Sequence, residues 1–490
     1  MCNFNKEFVT ILLFKQDCFI WNMREIVYPQ RIMLSQGLTD EHNLLKKQPL
    51  QIGLSEKYVT KFSKNSTVIL DFGKEMCGGV RILTRAGMGT KIHIRFGESL
   101  SETCTEVFKR EFGPATNHHS VRDFETTLMS LSDMTFANTG YRYVRIDVVE
   151  GEATIKSIVG TNNILSKREK WKYSGDDELI KNIYQTAKRT IDLCAGGDYV
   201  WDGVKRDRLV WIGDMHPEML AITTMYGSLK NFERSLDFVK DQTPIPAWMN
   251  GSPPYSMWWI IIIADYLKLT QNVGFVRRQL AYLDELLDLL NEHVDEDGNM
   301  SYPYYFVDWP TKDKEDEIPG VRAINILAAK GAIQILKRFQ KDTSKAELLL
   351  KKLLEQEIVV KSQKQVAALK YFATGLNDED KKLLLDGGAK GMSTFMSYYI
   401  LKAIASFDKP RAIEIMKEYY GKMLEKGATT FWEDFDMSWA KNSNDINSFA
   451  KEGEKDIHGD FGAYCYLGYR HSLCHGWSAG VIAFIKEECC

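Results

Sequence analysis

The sequence lacks the motifs that mark several large classes of enzyme. It contains no phosphate-binding P-loop, no G-x-G-x-x-G after a predicted strand and no G-x-S-x-G nucleophile elbow. The pair His118–His119 and the segment His216–Glu218 do not have the spacing of a metal site. We therefore expect no cofactor and no catalytic metal.

Paired cysteine motifs are also missing. The 9 cysteines are scattered along the chain, and none forms a C-x-x-C pair. Free thiols are typical of reducing compartments, so we expect a cytoplasmic protein without a disulfide framework. The apolar segment Phe8–Phe14 is short and lies between Glu7 and Lys15, and we do not interpret it as a signal peptide.

Long apolar runs and an excess of one charge are absent too. The longest other apolar run, Met257–Ala264, is far shorter than the roughly 20 residues that span a bilayer. The formal net charge of −3 argues against nucleic acid or an anionic membrane as a partner. The sequence leaves the oligomeric state open.

The first third of the sequence has the period of β-strands. Polar and apolar residues alternate in Lys91–Phe96 and Tyr141–Val148, and Val68–Phe72 and Val80–Leu83 are short β-rich runs beside glycines. This pattern predicts an antiparallel β-sandwich over residues 1–168, of which 1–48 form either part of the domain or an extension.

From about residue 170 the period becomes helical. Leu283, Leu286, Leu287 and Leu290 lie on one helical face, and so do the apolar residues spaced by three or four in 179–191 and 412–423. The segments 256–268, 321–339 and 392–406 are apolar on most sides. Because fully and half-buried helices alternate, we expect two concentric helical layers, a toroid, over residues 169–490.

One segment of the helical part concentrates acids, arginines and tryptophans. The segment Tyr199–Glu218 carries five residues of interest: Asp202, Arg206, Asp207, Trp211 and Asp214. Carboxylates accept protons from sugar hydroxyls, arginine holds carboxylates in place, and a buried acid with a raised pKa donates a proton. The alternative is a loop with structural ion pairs before a helix.

Two later segments have a similar composition. In Gly427–Trp439, Glu433 follows two bulky aromatic residues, which makes it a candidate base; the alternative is an acidic helix N-terminus. In Ser472–Gly480, His475 lies beside Trp477, in either a functional or a structural role.

A further acid–aromatic pair lies between these segments. Asp308 and Trp309 in Tyr304–Pro310, and the turn at Asn250–Trp259, form either cleft wall or core.

Acids without a nucleophile triad or a metal leave two-carboxylate glycoside chemistry as the main enzymatic option.

The segment DGVKRDRLVWIGD at 202–214 resembles the signature of the α-L-rhamnosidases of glycoside hydrolase family 78. Other landmarks follow in that family's order: DFGKEMCGGV (71–80), IRFGESL (94–100), TGYRYVRI (139–146), VDW (307–309), GATTFWEDF (427–435) and SLCHGWSAG (472–480). The resemblance implies a β-sandwich, an (α/α)6 toroid and inverting hydrolysis of terminal α-L-rhamnosyl residues from glycans or glycosides.

The resemblance also implies a role for each candidate residue. Asp207 lies where the family has its general acid, and Glu433 where it has its general base. The residues implied to line the rhamnose subsite are Asp202, Arg206, Trp211, Asp214, Asp308, Trp309 and His475.

Two departures from the family pattern keep other functions open. The family acid is commonly Glu, whereas position 207 is the shorter Asp, and family members usually continue beyond the equivalent of Cys490 into another β domain. The alternatives are a catalytically weakened carbohydrate-binding protein, an (α/α)6 glycosidase acting on another deoxy or uronic sugar, or a working β domain on a helical scaffold.

Overall fold

The computed structural model describes residues 23–105, 121–311, 314–463 and 467–490. The apolar segment Phe8–Phe14 and the pair His118–His119 lie outside these residues. No helix in the part of the chain that the structure describes is long and apolar enough to cross a membrane.

The N-terminal part is a seven-stranded antiparallel sheet. Its strands are β1 Met23–Val27, β2 Arg31–Thr39, β3 Thr60–Ala86, β4 Thr90–Gly97, β5 Asp123–Leu128, β6 Ser132–Glu150 and β7 Ala153–Ile164. The order is β1-β7-β3-β6-β4-β5, and β2 also pairs with β3. An antiparallel β domain was predicted and is confirmed. β1 and β2 belong to the sheet, so residues 23–39 are not a loose extension.

Strand β3 differs from the prediction of two short strands at 68–72 and 80–83. It is one long strand that pairs with β2 over 67–71 and with β7 over 78–86, with an irregular register between Asp71 and Met76. Gly78 allows the close approach of β7, because a Cβ atom there would lie 1.9 Å from the carbonyl oxygen of Thr161.

The C-terminal part is helical in the described residues. The helices beyond the short α1 (Leu100–Cys104) are α2 Glu178–Cys194, α3 Met215–Tyr226, α4 Lys230–Asp241, α5 Pro253–Thr270, α6 Val273–Arg277, α7 Leu280–Glu292, α8 Lys314–Arg338, α9 Ser344–Leu353, α10 Lys364–Ala373, α11 Asp378–Leu385, α12 Ser397–Ala405, α13 Lys409–Glu425 and α14 Val481–Glu488. The predicted change of period thus corresponds to a real change of structure, and the domain boundary predicted near 163–175 falls between β7 and α2.

The predicted apolar faces are buried with one exception. All four leucines of α7 named from the sequence are at most 1% exposed. In α2, Ile183, Ala187 and Ile191 are fully buried, whereas Leu179 in the first turn is 37% exposed. The helical part has one continuous core, and the sheet has a smaller core of its own.

The sheet also packs against the helical part. The backbone N–H of Leu100 donates to the carbonyl of Ile446, at 3.0 Å. The hydroxyl of Tyr143 donates to Asn447, at 2.9 Å. The candidate segments lie at this junction, in the connections between α2 and α3 and between α13 and α14.

Candidate active site

Backbone hydrogen bonds join the three candidate segments. The N–H of Gly476 donates to the carbonyl of Asp202 at 2.7 Å, and the N–H of Glu433 donates to Ser472 at 2.9 Å. Gly203 and His475 also form an isolated β-bridge. The fold therefore brings the first segment to two segments that follow it by more than two hundred residues, as expected if they form one site.

Arg206 lies at the centre of the charged groups. Its Nη1 donates to Asp207 Oδ2 at 2.5 Å, and its Nη2 donates to Glu433 Oε1. Its Nε donates to the carbonyl of Arg470 at 2.8 Å, and the side chain is only 4% exposed. One planar guanidinium thus connects the two predicted catalytic carboxylates.

Glu433 is buried and ionised. Its Oε2 accepts the backbone N–H of Ser472 at 2.9 Å, in addition to the bond from Arg206. Burial alone would raise the pKa of Glu433, but the charges of Arg206 and His475 outweigh burial and hold the pKa below its usual value. A buried carboxylate that stays charged is suited to accept a proton.

Asp207 is only partly buried and has an unusual backbone conformation. Its side chain is 18% exposed, and its Oδ2 accepts a hydrogen bond from Nη1 of Arg206 at 2.5 Å. Its backbone φ is +56°, and that of Arg208 is also +56°. Such left-handed residues are strained and are found often at functional sites.

Burial raises the pKa of two acids of the same segment. It raises the pKa of Asp202 to about 8, and Asp202 Oδ1 accepts the N–H of Leu209 at 2.9 Å. Burial likewise raises the pKa of Asp214, although His475 opposes this. The site therefore combines two acids with a raised pKa and one acid, Glu433, with a lowered pKa.

His475 lies between two carboxylates. Its Nε2 is 3.1 Å from Asp214 Oδ2, and its Nδ1 is 3.9 Å from Glu433 Oε1. Burial lowers its pKa, but Glu433 and Asp214 outweigh burial and raise the pKa above its usual value. Nδ1 is buried without a hydrogen-bond partner in the protein, which makes it available to a bound molecule. Asp214 precedes α3 without capping it, because its side chain is turned to His475.

Asp308 is linked to the Glu433 loop through two adjacent residues. The hydroxyl of Ser393 donates to Asp308 Oδ2 at 2.6 Å, and the hydroxyl of Thr394 donates to the carbonyl of Glu433 at 2.5 Å. Asp308 is 3% exposed, and burial raises its pKa. Its second oxygen accepts the N–H of Thr311 at 3.1 Å.

The two predicted subsite tryptophans belong to one aromatic row. Trp211 packs against Tyr255 at 6.2 Å between ring centroids, Tyr255 against Phe306 at 6.2 Å, and Phe306 against Trp309 at 5.3 Å. Tyr304 stacks on Phe306 and is 47% exposed. We call these five rings the aromatic row.

Sequence analysis missed several buried polar residues of the site. Lys205 and Glu98 have fully buried side chains, and their ammonium and carboxylate groups lie 3.3 Å apart. Glu218 is 1% exposed, has no hydrogen-bond partner for either oxygen, and lies against Gly476. Burial raises its pKa well above the usual value. The only sequence signal for Glu98 was its position in the landmark IRFGESL, which assigned it no role.

One group in the described residues has the geometry to hold a metal ion. Glu98, Glu102 and His458 bring their ligand atoms within 4.8 Å of one another. However, the ammonium of Lys205 already lies 3.3 Å and 2.9 Å from the two carboxylates. A divalent cation would have to compete with this buried charge, so we interpret the group as an ion-pair cluster.

Comparison with known proteins identifies the class of the fold. Residues 61–163 match the family model described as the bacterial alpha-L-rhamnosidase concanavalin-like domain. No curated protein matches the chain by sequence.

Solved rhamnosidases share the whole architecture. A rhamnosidase from Klebsiella oxytoca, with rhamnose bound, has a TM-score of 0.73 at 18% identity and covers 95% of this chain and 96% of its own. The family 78 rhamnosidase of Bacillus sp. GL1 has a TM-score of 0.64 at 17% identity, covering 91% and 48%. The α-L-rhamnosidase from Dictyoglumus thermophilum has a TM-score of 0.64 at 16% identity, covering 86% and 49%.

The chain thus spans nearly all of the Klebsiella protein and about half of the other two. The chain therefore resembles the α-L-rhamnosidases of family 78, in sequence over residues 61–163 and in fold over most of its length, so the resemblance found in the sequence is confirmed.

Proposed function

We propose that this chain is an inverting glycoside hydrolase that releases terminal α-L-rhamnose from glycans or glycosides. The observation that carries the proposal is the bridge from Arg206 to both Asp207 and Glu433. It places two carboxylates on one planar guanidinium, with their bonded oxygens no more than about 7 Å apart. Two carboxyl groups at such a separation are the central requirement of glycoside hydrolysis.

Glu433 acts as the general base in this proposal. His475 Nδ1 and Glu433 Oε1 are 3.9 Å apart, so a water molecule can lie at hydrogen-bond distance from both. The protonated imidazole donates to the water, the water donates to Glu433, and an oxygen lone pair is left to attack the anomeric carbon. The attack from the face opposite the leaving group inverts the configuration.

Asp207 acts as the general acid and protonates the glycosidic oxygen. Its partly exposed side chain is accessible to a leaving group, whereas the Asp202 side chain is buried. Asp202 is the second candidate for this role, because its pKa of about 8 keeps it protonated at neutral pH.

The remaining candidate residues bind the sugar. Asp202, Asp214 and His475 contact hydroxyl groups, while Trp211 packs against the apolar C6 side. Asp308 and Trp309 extend this subsite along the aromatic row. The helical domain is proposed to be the (α/α)6 toroid that the family resemblance implies, and a cytoplasmic location remains a prediction from the free cysteines.

The test is turnover of p-nitrophenyl α-L-rhamnoside with NMR detection of the first product anomer. We expect β-L-rhamnose first, and a loss of most of kcat in Glu433→Gln with little change in rhamnose binding. Glu414→Gln is the control, since Glu414 on α13 is 65% exposed and forms an ion pair with Arg411 of the same helix.

Three other outcomes would contradict parts of the proposal. Initial release of α-L-rhamnose means retention. Rhamnose binding without turnover would support a carbohydrate-binding protein that keeps the pocket but not the catalysis. Neither binding nor turnover of rhamnosides, with activity on another aryl glycoside, would indicate a different deoxy or uronic sugar.

A further inference from the structure

Buried charges connect the β domain to the candidate site. Glu98 follows β4, Glu102 lies on α1, and both face Lys205 of the helical part, at 3.3 Å and 2.9 Å. All three side chains are fully buried. Arg122 adds a second cation, 3.2 Å from Glu102 and also fully buried. Two acidic and two basic side chains therefore lie together inside the protein, and burial raises the pKa of Glu98 although Lys205 opposes this.

Glu98 also holds the backbone of the His475 segment. Its Oε2 accepts the N–H of Leu473 at 2.7 Å, and its Oε1 accepts the hydroxyl of Ser472 at 3.4 Å. The N–H of the same Ser472 donates to Glu433 at 2.9 Å. The N–H of Leu473 thus binds Glu98 of the β domain, and the adjacent N–H of Ser472 binds Glu433 of the candidate site.

Lys205 holds the same segment from the other side. Its ammonium donates to the carbonyls of Tyr469 and His471, the latter at 2.9 Å. The next residue, Arg206, binds the carbonyl of Arg470 and the carboxylate of Glu433. Consecutive side chains therefore fix the backbone that donates to Glu433.

We infer that Glu98 of the β domain is a positioning residue for Glu433, acting through the Ser472–Leu473 backbone and through Lys205. The inference rests on the proposed function, in which Glu433 is the base. It gives the β domain a part in catalysis, because the active site is incomplete without the carboxylate that this domain supplies.

Stability alone is a poor explanation for these charges. Removing charged groups from water costs several kcal/mol per ion, and a buried ion pair is often no more stabilising than apolar residues of the same volume. A role in holding the backbone of residues 471–473 in place accounts for the fully buried contact between Glu98 and Lys205. Glu98 accepts the N–H of Leu473, and Lys205 donates to the carbonyl of His471. The catalytic geometry is sensitive to shifts of this kind.

The test compares Glu98→Gln with Asp71→Asn. Asp71 is a matched control: its side chain is also fully buried in the β domain, but it pairs with Arg142 and Arg31, away from the Ser472–Leu473 backbone. We expect Glu98→Gln to lower kcat by about 10- to 100-fold with KM and rhamnose affinity unchanged. Asp71→Asn lowers thermal stability but leaves kcat as in the wild type.

A second readout does not depend on turnover. Hydrogen exchange measured by mass spectrometry should become faster in the peptide spanning residues 470–475 in Glu98→Gln and stay unchanged in Asp71→Asn, because Glu98 protects the Leu473 amide. If the wild type hydrolyses no glycoside, the proposed function fails while this readout still tests the coupling.

The double variant Glu98→Gln, Lys205→Met covers the case in which Glu98→Gln does not fold. It removes both charges of the pair, so neither is left buried without a partner. We expect a folded protein with low kcat and fast exchange in 470–475. The inference is overturned if either variant has kcat within twofold of the wild type and unchanged exchange, or if Asp71→Asn loses kcat to the same extent.

Discussion

Arg206 binds Asp207 with one end of its guanidinium and Glu433 with the other. The group that would donate a proton and the group that would accept one are therefore held by the same cation. The charge of Arg206 helps to hold the pKa of Glu433 below its usual value. A substrate that binds between them must alter at least one of these two hydrogen bonds.

Replacing Arg206 should change the pH dependence of the reaction. Arg206 lowers the pKa of Glu433, and a base works only when it is ionised, so activity falls as the pH drops through that pKa. In Arg206→Gln the pKa of Glu433 rises, and the acidic limb of the kcat/KM profile moves to higher pH. The measurement is the dependence of kcat/KM on pH between about pH 4 and pH 9.

Arg208→Gln is the control for this change. Arg208 carries the same charge two positions away, but it donates to the carbonyl of Asn138 at 2.7 Å and lies over the ring of Trp201. Its removal should leave the acidic limb in place. An equal shift in both variants would mean that net charge, and not the bond from Arg206, sets the pKa of Glu433.

The general acid can be identified by the leaving group. A good leaving group such as dinitrophenolate needs little protonation, whereas an alkoxide needs a great deal. Asp207→Asn should therefore slow an alkyl α-L-rhamnoside by about 100-fold or more and slow the dinitrophenyl rhamnoside far less. The measurement is kcat/KM for both substrates with each variant.

Asp202→Asn is the informative comparison in that experiment. If Asp207 is the acid, Asp202→Asn slows both rhamnosides by a similar factor, because it weakens sugar binding without removing the proton donor. The opposite result is that Asp202→Asn slows the alkyl rhamnoside far more than the dinitrophenyl rhamnoside, while Asp207→Asn does not. In that case Asp202, with its pKa of about 8, donates the proton.

Much of this site was predictable from local composition. Asp202, Arg206, Asp207, Asp214, Glu433 and His475 lie in segments that concentrate charged residues beside glycine and aromatic residues, and the family resemblance implied their roles. The structure joins all of them through direct hydrogen bonds, ion pairs or electrostatic contacts. What the motifs could not give was the protonation state of each acid, which depends on burial and on distances across the fold.

Other features depend on contacts that no sequence pattern records. Lys205 and Glu98 belong to different domains, and only tertiary structure brings them together. β3 was predicted as two strands because its glycines resemble turn residues, whereas Gly78 serves the close approach of β7. Leu179 fits the apolar period of α2 but lies in its first turn, where the core does not cover it.

The raised pKa of Asp202 predicts a pH-dependent cost in stability. A carboxyl whose pKa rises from 3.8 to about 8 on folding contributes stability that is fully present below pH about 4 and is lost as the pH rises through 8. Asn does not titrate, and its side-chain oxygen can still accept the N–H of Leu209. Asp202→Asn should therefore be more stable than the wild type at pH 8, by on the order of 3–5 kcal/mol at most.

Thermal unfolding of both proteins from acidic to alkaline pH measures this effect. The difference in Tm between Asp202→Asn and the wild type should grow with pH up to about 8 and then level off. Activity should fall in the same variant, since a site residue that destabilises the fold is retained for function. A difference in Tm that does not vary with pH would refute the raised pKa.

The aromatic row should govern substrate affinity more than the chemical step. Trp309 is partly exposed and packs on Phe306 at 5.3 Å between ring centroids, and we expect its exposed part to contact a bound sugar or aglycone. Trp309→Ala removes about 1–2 kcal/mol of apolar and aromatic contact, which corresponds to a rise in KM of roughly 10-fold. No proton passes through this ring, so kcat should change little.

Trp171→Ala provides the control for the loss of a tryptophan. Trp171 is also half-buried, but it packs on Tyr184 near the start of the helical part, outside the aromatic row. Its KM should equal that of the wild type even if its Tm falls. A loss of kcat in Trp309→Ala at unchanged KM would instead mean that Trp309 holds Asp308 and the Glu433 loop in place, because the ring would then act on the transition state alone.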